Sequence, residues 1–310
     1  MNTQANALPE SLESSQVARA TLRPTRPFYW SVRRELMENR SLYFAPLLVA
    51  AVFFLGFLVT MRHHVRDAAM NSAQYRAAIV LPYDVSAGMM MLLVILVSLF
   101  YSMDALHGER KDRSILFWKS MPVSDLTTIL AKATIPIVVI PLIATAVTIC
   151  LQLVMLIMSS FVLMATGQSV VRFWSELSPL QMWFLLLYHI MTAHALWPAP
   201  IYAWLMLVSG WARRAVLLWA ALPALAIAGL EAILFRTSNF ASLVGERIIG
   251  SSSPAPHGAT AVGLSIFPTN PLMHIHPLEL LMSAGFWCGL LVTAVFLGAA
   301  IRLRRYRGPV

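Results

Sequence analysis

Six long apolar stretches, uncharged except for Glu231 in the fifth, frame the rest of the sequence. Crossing about 30 Å of hydrocarbon takes roughly 20 apolar residues in a helix. Ser41–Met61 has no charge at any of its 21 positions, and Val85–Met103 is a second run bracketed by Asp84 and Asp104. A third crossing falls between about Ile135 and Ser160, inside an uncharged run from Ala133 to Val171. The fourth lies between Leu177 and Ala212, the fifth spans Ala215–Phe235 and the sixth spans Leu280–Ile301. The third and fourth runs are too long for one straight crossing and too short for two with a turn. They predict tilted ends or interfacial segments. The pattern predicts an all-α membrane protein with six transmembrane helices.

Before the first span the pattern is different. Residues 1–26 read as a disordered cytoplasmic N-terminus, with no apolar core behind a basic start and so no cleavable signal peptide. From Pro27 to Arg40, Phe28, Tyr29, Val32, Leu36 and Met37 recur at helical spacing, with Arg33, Arg34, Glu38 and Arg40 between them. This predicts a short amphipathic helix at the inner membrane interface; the plainer alternative is a juxtamembrane basic cluster. The six-span domain then runs over 41–304, with a short tail at 305–310.

Composition sharpens the class. Hydrophobic residues make up 58% of the chain and charged residues 12%, against roughly 45–50% and about 25% in ordinary globular proteins. Mean hydropathy is +0.70. Such a chain has too little polar surface for a water-facing exterior, which sets aside a soluble enzyme, a secreted disulfide scaffold and a nucleic-acid binder. Cys150 and Cys288 both lie in apolar runs and read as small hydrophobes. The net charge of +9 comes mainly from 20 Arg residues and three Lys. Seventeen of these basic residues flank one side of the six spans and six flank the other. The excess of Lys and Arg on cytoplasmic flanks places both termini in the cytoplasm.

Chemistry concentrates in the cytoplasmic loop 104–132, which reads DALHGERKDRSILFWKSMPVSDLTTILAK. Acid and base alternate densely from Glu109 to Arg113, and Ile115, Leu116, Phe117 and Trp118 then follow in a row. Pro122 stops the preceding helix, and Ser124 is placed to cap the next one, with Asp125 favourable to its dipole. Phe and Trp beside charges make good anchors in a partner's groove; the alternative is an aromatic belt lying in the interface.

The run GERKDRSILFWKSMPVSD resembles the cytoplasmic loop of bacterial ABC transporter permeases of the ABC-2 type, where the loop between spans two and three seats in an ATPase subunit. The interfacial helix, six spans, cytoplasmic termini and long external segment 236–279 extend the resemblance over roughly residues 27–305. It implies the ABC-2 (type V exporter-like) permease fold. It also implies ATPase contacts at Glu109, Arg110, Asp112, Arg113, Ile115, Leu116, Phe117 and Trp118, and pathway walls from spans two and five. In that family the external segment forms short re-entrant helices; Phe240–Ile249 and Ala261–Phe267 are the corresponding pieces here, an unstructured loop being the alternative.

None of the three lysines follows a glycine, so the chain has no G-x-x-x-x-G-K-[ST] phosphate loop. If ATP drives the protein, ATP and Mg are bound by a separate ATPase in two copies, working with two permease chains, as a homodimer. A membrane protein that never meets ATP would lack the motif equally.

Ionisable groups inside a span are functional candidates by default. Glu231 lies near the outer end of span five, where it meets water or pairs with Arg236. His189 and His194 lie in span four; their spacing sets them about 140° apart on a straight helix, which prevents shared ligation of one metal. A neutral His hydrogen-bonded inside the bundle is the commoner case, and Gln152 is one available partner. Trp197, Pro198 and Pro200 predict a broken or kinked span four. Met89 and Met90 in span two add soft apolar surface that tolerates varied ligands. No catalytic constellation is present, and no metal site is expected. The leading expectation is the permease subunit of an ATP-driven exporter of an amphipathic or hydrophobic substrate, in the bacterial inner membrane. A carrier that does not use ATP, or a sensor or assembly protein on the same scaffold, is the alternative.

Overall fold

The structure is a computed structural model and describes residues 25–66, 72–120, 123–249 and 277–306. Among the described residues every regular element is a helix. α1 (Thr25–Glu38) precedes α2 (Ser41–Arg66), and α3 (Ser72–Asp104) is followed by two short helices, α4 (His107–Lys111) and α5 (Ile115–Ser120). α6 (Asp125–Thr134) continues through a π-helical turn, Ile135–Val139, into α7 (Ile140–Ala165). The next run comprises α8 (Val170–Leu177), α9 (Pro179–His189), a second π-helical stretch (Ile190–Leu196) and α10 (Ala199–Trp211). α11 (Val216–Phe235), α12 (Asn239–Ile249), α13 (Pro277–Met282) and α14 (Ala284–Tyr306) complete the order.

Five stretches are long and apolar enough to cross a membrane: Ser41–Met61, Ile79–Lys111, Asp125–Ala165, Val216–Phe235 and Ala284–Tyr306. The pair Val170–Leu196 and Ala199–Trp211, bent by 43°, makes a sixth crossing when taken as one broken span. The bend follows from the sequence: Pro198 and Pro200 cannot donate to the helix ladder, and the Trp197 amide reaches five residues back to the Thr192 carbonyl at 2.9 Å. Pro136 and Pro141 pose the same problem in the third run, and the π turn containing Pro136 and leading into Pro141 absorbs the mismatch without ending the helix.

The surplus length of both runs goes where the uncharged pattern left room for it. α7 ends on Gly167, whose φ of +72° suits glycine. The Gly167 amide donates to the Met164 carbonyl (3.2 Å) and the Gln168 amide to the Leu163 carbonyl (2.9 Å), a pairing that closes the helix end. α8 is then a short amphipathic helix with Phe173 and Leu177 buried.

A main packed cluster joins α2, α3, the first π turn and α7 through Leu42, Tyr83, Met90, Ile135, Met155 and Leu156. α10 lies along α14, with a glycine at the contact. A Cβ added to Gly210 would stand 3.0 Å from Leu303 Cδ2 and 3.3 Å from Leu106 Cδ1, so any larger residue must move both. α11 is the outlier: Val216 and Ala220 are its buried residues, while Leu217, Leu225, Ile233 and Phe235 are exposed. Exposed apolar side chains of this kind are stable in lipid.

Two sequence expectations change. The second span starts earlier than Val85, since α3 runs through Asp84, which is 3% exposed. On α1 the side chain packed deepest is Glu35, at 2% exposure, while Tyr29, Trp30 and Met37 face outward. The apolar stripe read from the sequence therefore divides: Val32 and Leu36 pack on the core, while Phe28, Tyr29 and Met37 are exposed. The residues 1–24, the stretch Ala261–Phe267 and Pro122 lie outside the described residues.

Candidate functional site

At one end of the bundle α1, α3, α4, α6 and α14 converge on two carboxylates. Glu35 Oε1 accepts from Arg34 (2.7 Å) and from Lys132 Nζ (2.8 Å), and its Oε2 accepts from the Tyr101 hydroxyl at 2.8 Å. Glu109 Oε1 meets Arg34 at 3.1 Å and Lys132 at 3.2 Å, while its Oε2 meets Arg304 at 2.6 Å. Arg304 also donates through Nε to Asp125 at 3.1 Å. Three cations thus face four carboxylates, the fourth being Glu38 at 3.6 Å from Arg34 Nε, and Glu35, Glu109, Lys132 and Arg304 are all under 9% exposed. Burial raises the Glu35 carboxyl, but the Lys132 ammonium and the Arg34 guanidinium outweigh it and hold the group below its usual value.

This arrangement is built locally. Ser124 caps α6 by accepting from the Thr127 amide at 3.1 Å, as its position implied, and Asp125 occupies the first turn. Capping fixes where α6 starts, and that places Lys132 two turns on beneath Glu35 and Glu109. Arg113, at φ 59°, makes a left-handed turn that folds α5 back from α4, at a cost of order 1–3 kcal/mol for a residue with a Cβ. Arg110 is also tied down, donating to the Gly210 carbonyl at 2.7 Å and the Ala212 carbonyl at 3.3 Å.

The eight loop residues singled out from the sequence therefore divide. Glu109, Arg110 and Ile115 are buried within the chain. Asp112, Arg113, Leu116 and Phe117 are exposed, Leu116 at 58% and Phe117 at 59%. Trp118 is half-buried, with the Arg34 guanidinium 3.9 Å above its ring and the Phe117 ring edge-on at 4.9 Å. Glu109 and Arg110 turn inward because each finds partners there that water would otherwise supply. Missing from the sequence reading were Glu35, Lys132 and Arg304. The available signal was that Lys132 is one of only three lysines and sits at the start of an apolar run.

The intramembrane candidates do not form one site. Met90 is fully buried and Met89 is 41% exposed. His194 lies in the second π stretch, 4% exposed, with its Nδ1 unpartnered; the Tyr202 hydroxyl donates to its carbonyl at 2.8 Å. His189 Nδ1 is 3.2 Å from the Leu185 carbonyl, an intrahelical bond. Gln152 does not serve either histidine. Its amide donates to the Tyr83 carbonyl (3.1 Å) and Ser86 Oγ (3.2 Å), and its oxygen accepts from Trp183 at 3.0 Å. Those three bonds use the amide to fasten α3, α7 and α9 together.

Glu231 has a role that its position near Arg236 did not suggest. Its carboxylate accepts from Thr237 Oγ1 (2.7 Å), the Asn239 amide (2.8 Å) and the Phe240 amide (2.8 Å). It caps α12 from a neighbouring helix, fixing the segment that the sequence marked as Phe240–Ile249. α12 is held at its other end by Arg247, which stacks 4.1 Å over Trp197 and donates to the Trp197 carbonyl (3.0 Å) and the Gly285 carbonyl.

No family model, curated protein or solved structure matches the chain.

Proposed function

We propose that this chain is the permease subunit of an ATP-driven ABC exporter of the ABC-2 type, with α5 as the helix that docks a separate ATPase. The observation that carries the reading is the exposed Leu116–Phe117 edge on a short helix rooted in the buried ion-pair cluster. An exposed aromatic and aliphatic pair flanked by Asp112, Arg113 and Lys119 is a good anchor for a partner's groove. The support beneath it is rigid, because Ile115 is buried and Trp118 is clamped by Arg34.

In this reading ATP and Mg bind to two partner ATPase chains, whose chemistry supplies the drive. The residues of this chain transmit the motion. Force on α5 reaches α1 through the Arg34–Trp118 stack, and force on the adjoining α4 reaches α6 and α14 through the Glu109 pairs with Lys132 and Arg304, so a tilt of the loop is passed to three helices. The loop, α1 and the end of α14 meet at one end of the bundle, and the excess of Lys and Arg flanking that end makes it cytoplasmic. The protein then sits in the inner membrane of a bacterium with both termini inside. α11, which buries little more than Val216 and Ala220, leaves a face free for a second copy, consistent with a homodimer. The cargo is amphipathic or hydrophobic, in keeping with the soft Met89–Met91 surface.

The test is purification of the chain co-expressed with a candidate ATPase in mild detergent, wild type against Leu116→Ala/Phe117→Ala. Both side chains are exposed, so their loss leaves the fold intact. The wild type is expected to carry an ATP-hydrolysing partner and the variant to lose it while melting at the same temperature. Retention of the ATPase by the variant overturns the docking assignment, and failure of ATPases to travel with the wild type overturns the exporter reading.

A further inference from the structure

Asp84 is the one described carboxylate with a buried, unpartnered oxygen. It is 3% exposed, and its Oδ2 has no hydrogen-bond partner. Every other carboxylate under 9% exposed belongs to the cluster around Glu109, where cations surround it. Asp84 is remote from that cluster: it lies 17 residues before Tyr101 on α3, about 25 Å along a helix at 1.5 Å per residue. A carboxylate removed from water without a cation or a donor costs several kcal/mol, and no described residue supplies either to Asp84 Oδ2.

Its surroundings indicate what kind of partner fits. Asp84 stands on the stripe of α3 that continues at i+3 and i+7 through Ala87 and Met91, and these pack against Leu186 and Ile190 of span four. The described lining is apolar and soft at Met91. α8 lies against the same helix, with Phe173 and Leu177 in one packed cluster with Ile79 and Tyr83. Further along, span four holds another unpartnered buried polar atom, His194 Nδ1 in the π stretch that packs on α3. Among the described residues, the contact between spans two and four thus holds Asp84 Oδ2 and His194 Nδ1 without partners, the anion lying toward the start of α3.

We propose that Asp84 is the anionic anchor for a positively charged group on a hydrophobic guest, so that the cargo of this protein is a lipophilic cation. Binding sets the positive charge against the Asp84 carboxylate and requires the packed side chains of Met91, Leu186 and Ile190 to part for the apolar body. This inference rests on the exporter reading for the word cargo, but binding itself needs no ATPase.

The experiment measures binding of tetraphenylphosphonium and of tetraphenylborate, an anion of the same shape, to the purified full-length chain in lipid nanodiscs. Wild type, Asp84→Asn and Asp84→Glu are compared by equilibrium dialysis, with folding checked by thermal melting. The expected result is saturable tetraphenylphosphonium binding to the wild type, a loss of tenfold or more in Asp84→Asn, near-retention in Asp84→Glu, and no effect of either variant on tetraphenylborate. Equal cation affinity in wild type and Asp84→Asn overturns the proposal. So does the absence of saturable cation binding to the wild type, a result that stands even if a variant fails to fold. Because no ATPase is present, these outcomes are independent of the co-purification result.

Discussion

Replacing Glu109 with glutamine removes one charge from the centre of the ion-pair cluster while preserving its size. At 8% exposure the carboxylate is little screened by solvent, and it holds Arg304 at 2.6 Å, Arg34 at 3.1 Å and Lys132 at 3.2 Å. One such contact near 3 Å gives about 5 kcal/mol of attraction at an effective dielectric of 20, most of it offset by desolvation. Removing one partner of a buried pair costs about 3–5 kcal/mol, because the surviving charge is left uncompensated. Here Lys132 and Arg34 keep Glu35, and Arg304 keeps Asp125, so the lower figure, about 3 kcal/mol, is expected. The assay is reversible unfolding of the purified chain in mixed micelles titrated with SDS, followed by tryptophan fluorescence. Adding Lys132→Met takes away one of the stranded cations, and the double variant should be more stable than the two single losses added together, by about 1–3 kcal/mol. A change within about 0.5 kcal/mol for Glu109→Gln, the scatter of ordinary surface substitutions, would refute the reasoning, as would strict additivity of the pair.

Other consequences are as direct. Glu35 titrates below its usual value of 4.5 in the folded chain, so its contribution is fully present above that value and is lost as the pH falls through the lower folded value. Unfolding midpoints should therefore hold steady from pH 7 to about 5 and drop below that, and Glu35→Gln should lower the midpoint at pH 7 while flattening the acid fall. Glu231→Ala removes the acceptor for the Asn239 and Phe240 amides, and hydrogen exchange over Asn239–Ile249 should speed up while the rest of the chain is unchanged. At Gly289 an added Cβ would overlap the Arg247 guanidinium, with Cζ only 2.9 Å away. Gly289→Ala should lower the melting temperature as Arg247→Gln does, and the double variant should be no worse than either alone.

The helical class and the spans were legible because charge is expensive in lipid, so the uncharged run Ser41–Met61 and the run Ala215–Phe235, with Glu231 alone near its end, match helices closely. The break in span four was equally legible, since Pro198 and Pro200 announce missing donors. Ser124 announced the start of α6. What sequence position could not reveal was which charges turn inward. Glu35 stands among Arg33, Arg34 and Glu38 on what reads as the solvated face of an amphipathic helix. It is buried because Lys132, 97 residues later in number, and Tyr101 meet it there. Glu109 read as a surface residue of the loop for the same reason; its compensating cations lie on α1, α6 and α14. Asp84 read as a boundary residue, because a lone carboxylate beside an apolar run ordinarily marks where the membrane ends. The partners of a buried charge come from distant segments, and a local pattern carries no record of them.

The measurement that bears most directly on the central claim is site-specific photocrosslinking in native membranes. A benzophenone side chain is placed at Phe117, 59% exposed on α5, and as a control at Val171, 79% exposed on α8. The account predicts an adduct at position 117 whose partner peptides contain a G-x-x-x-x-G-K-[ST] phosphate loop, with no such adduct from position 171. Membranes that hold the candidate ATPase and yield no adduct at 117, or the same adduct at both positions, would contradict it.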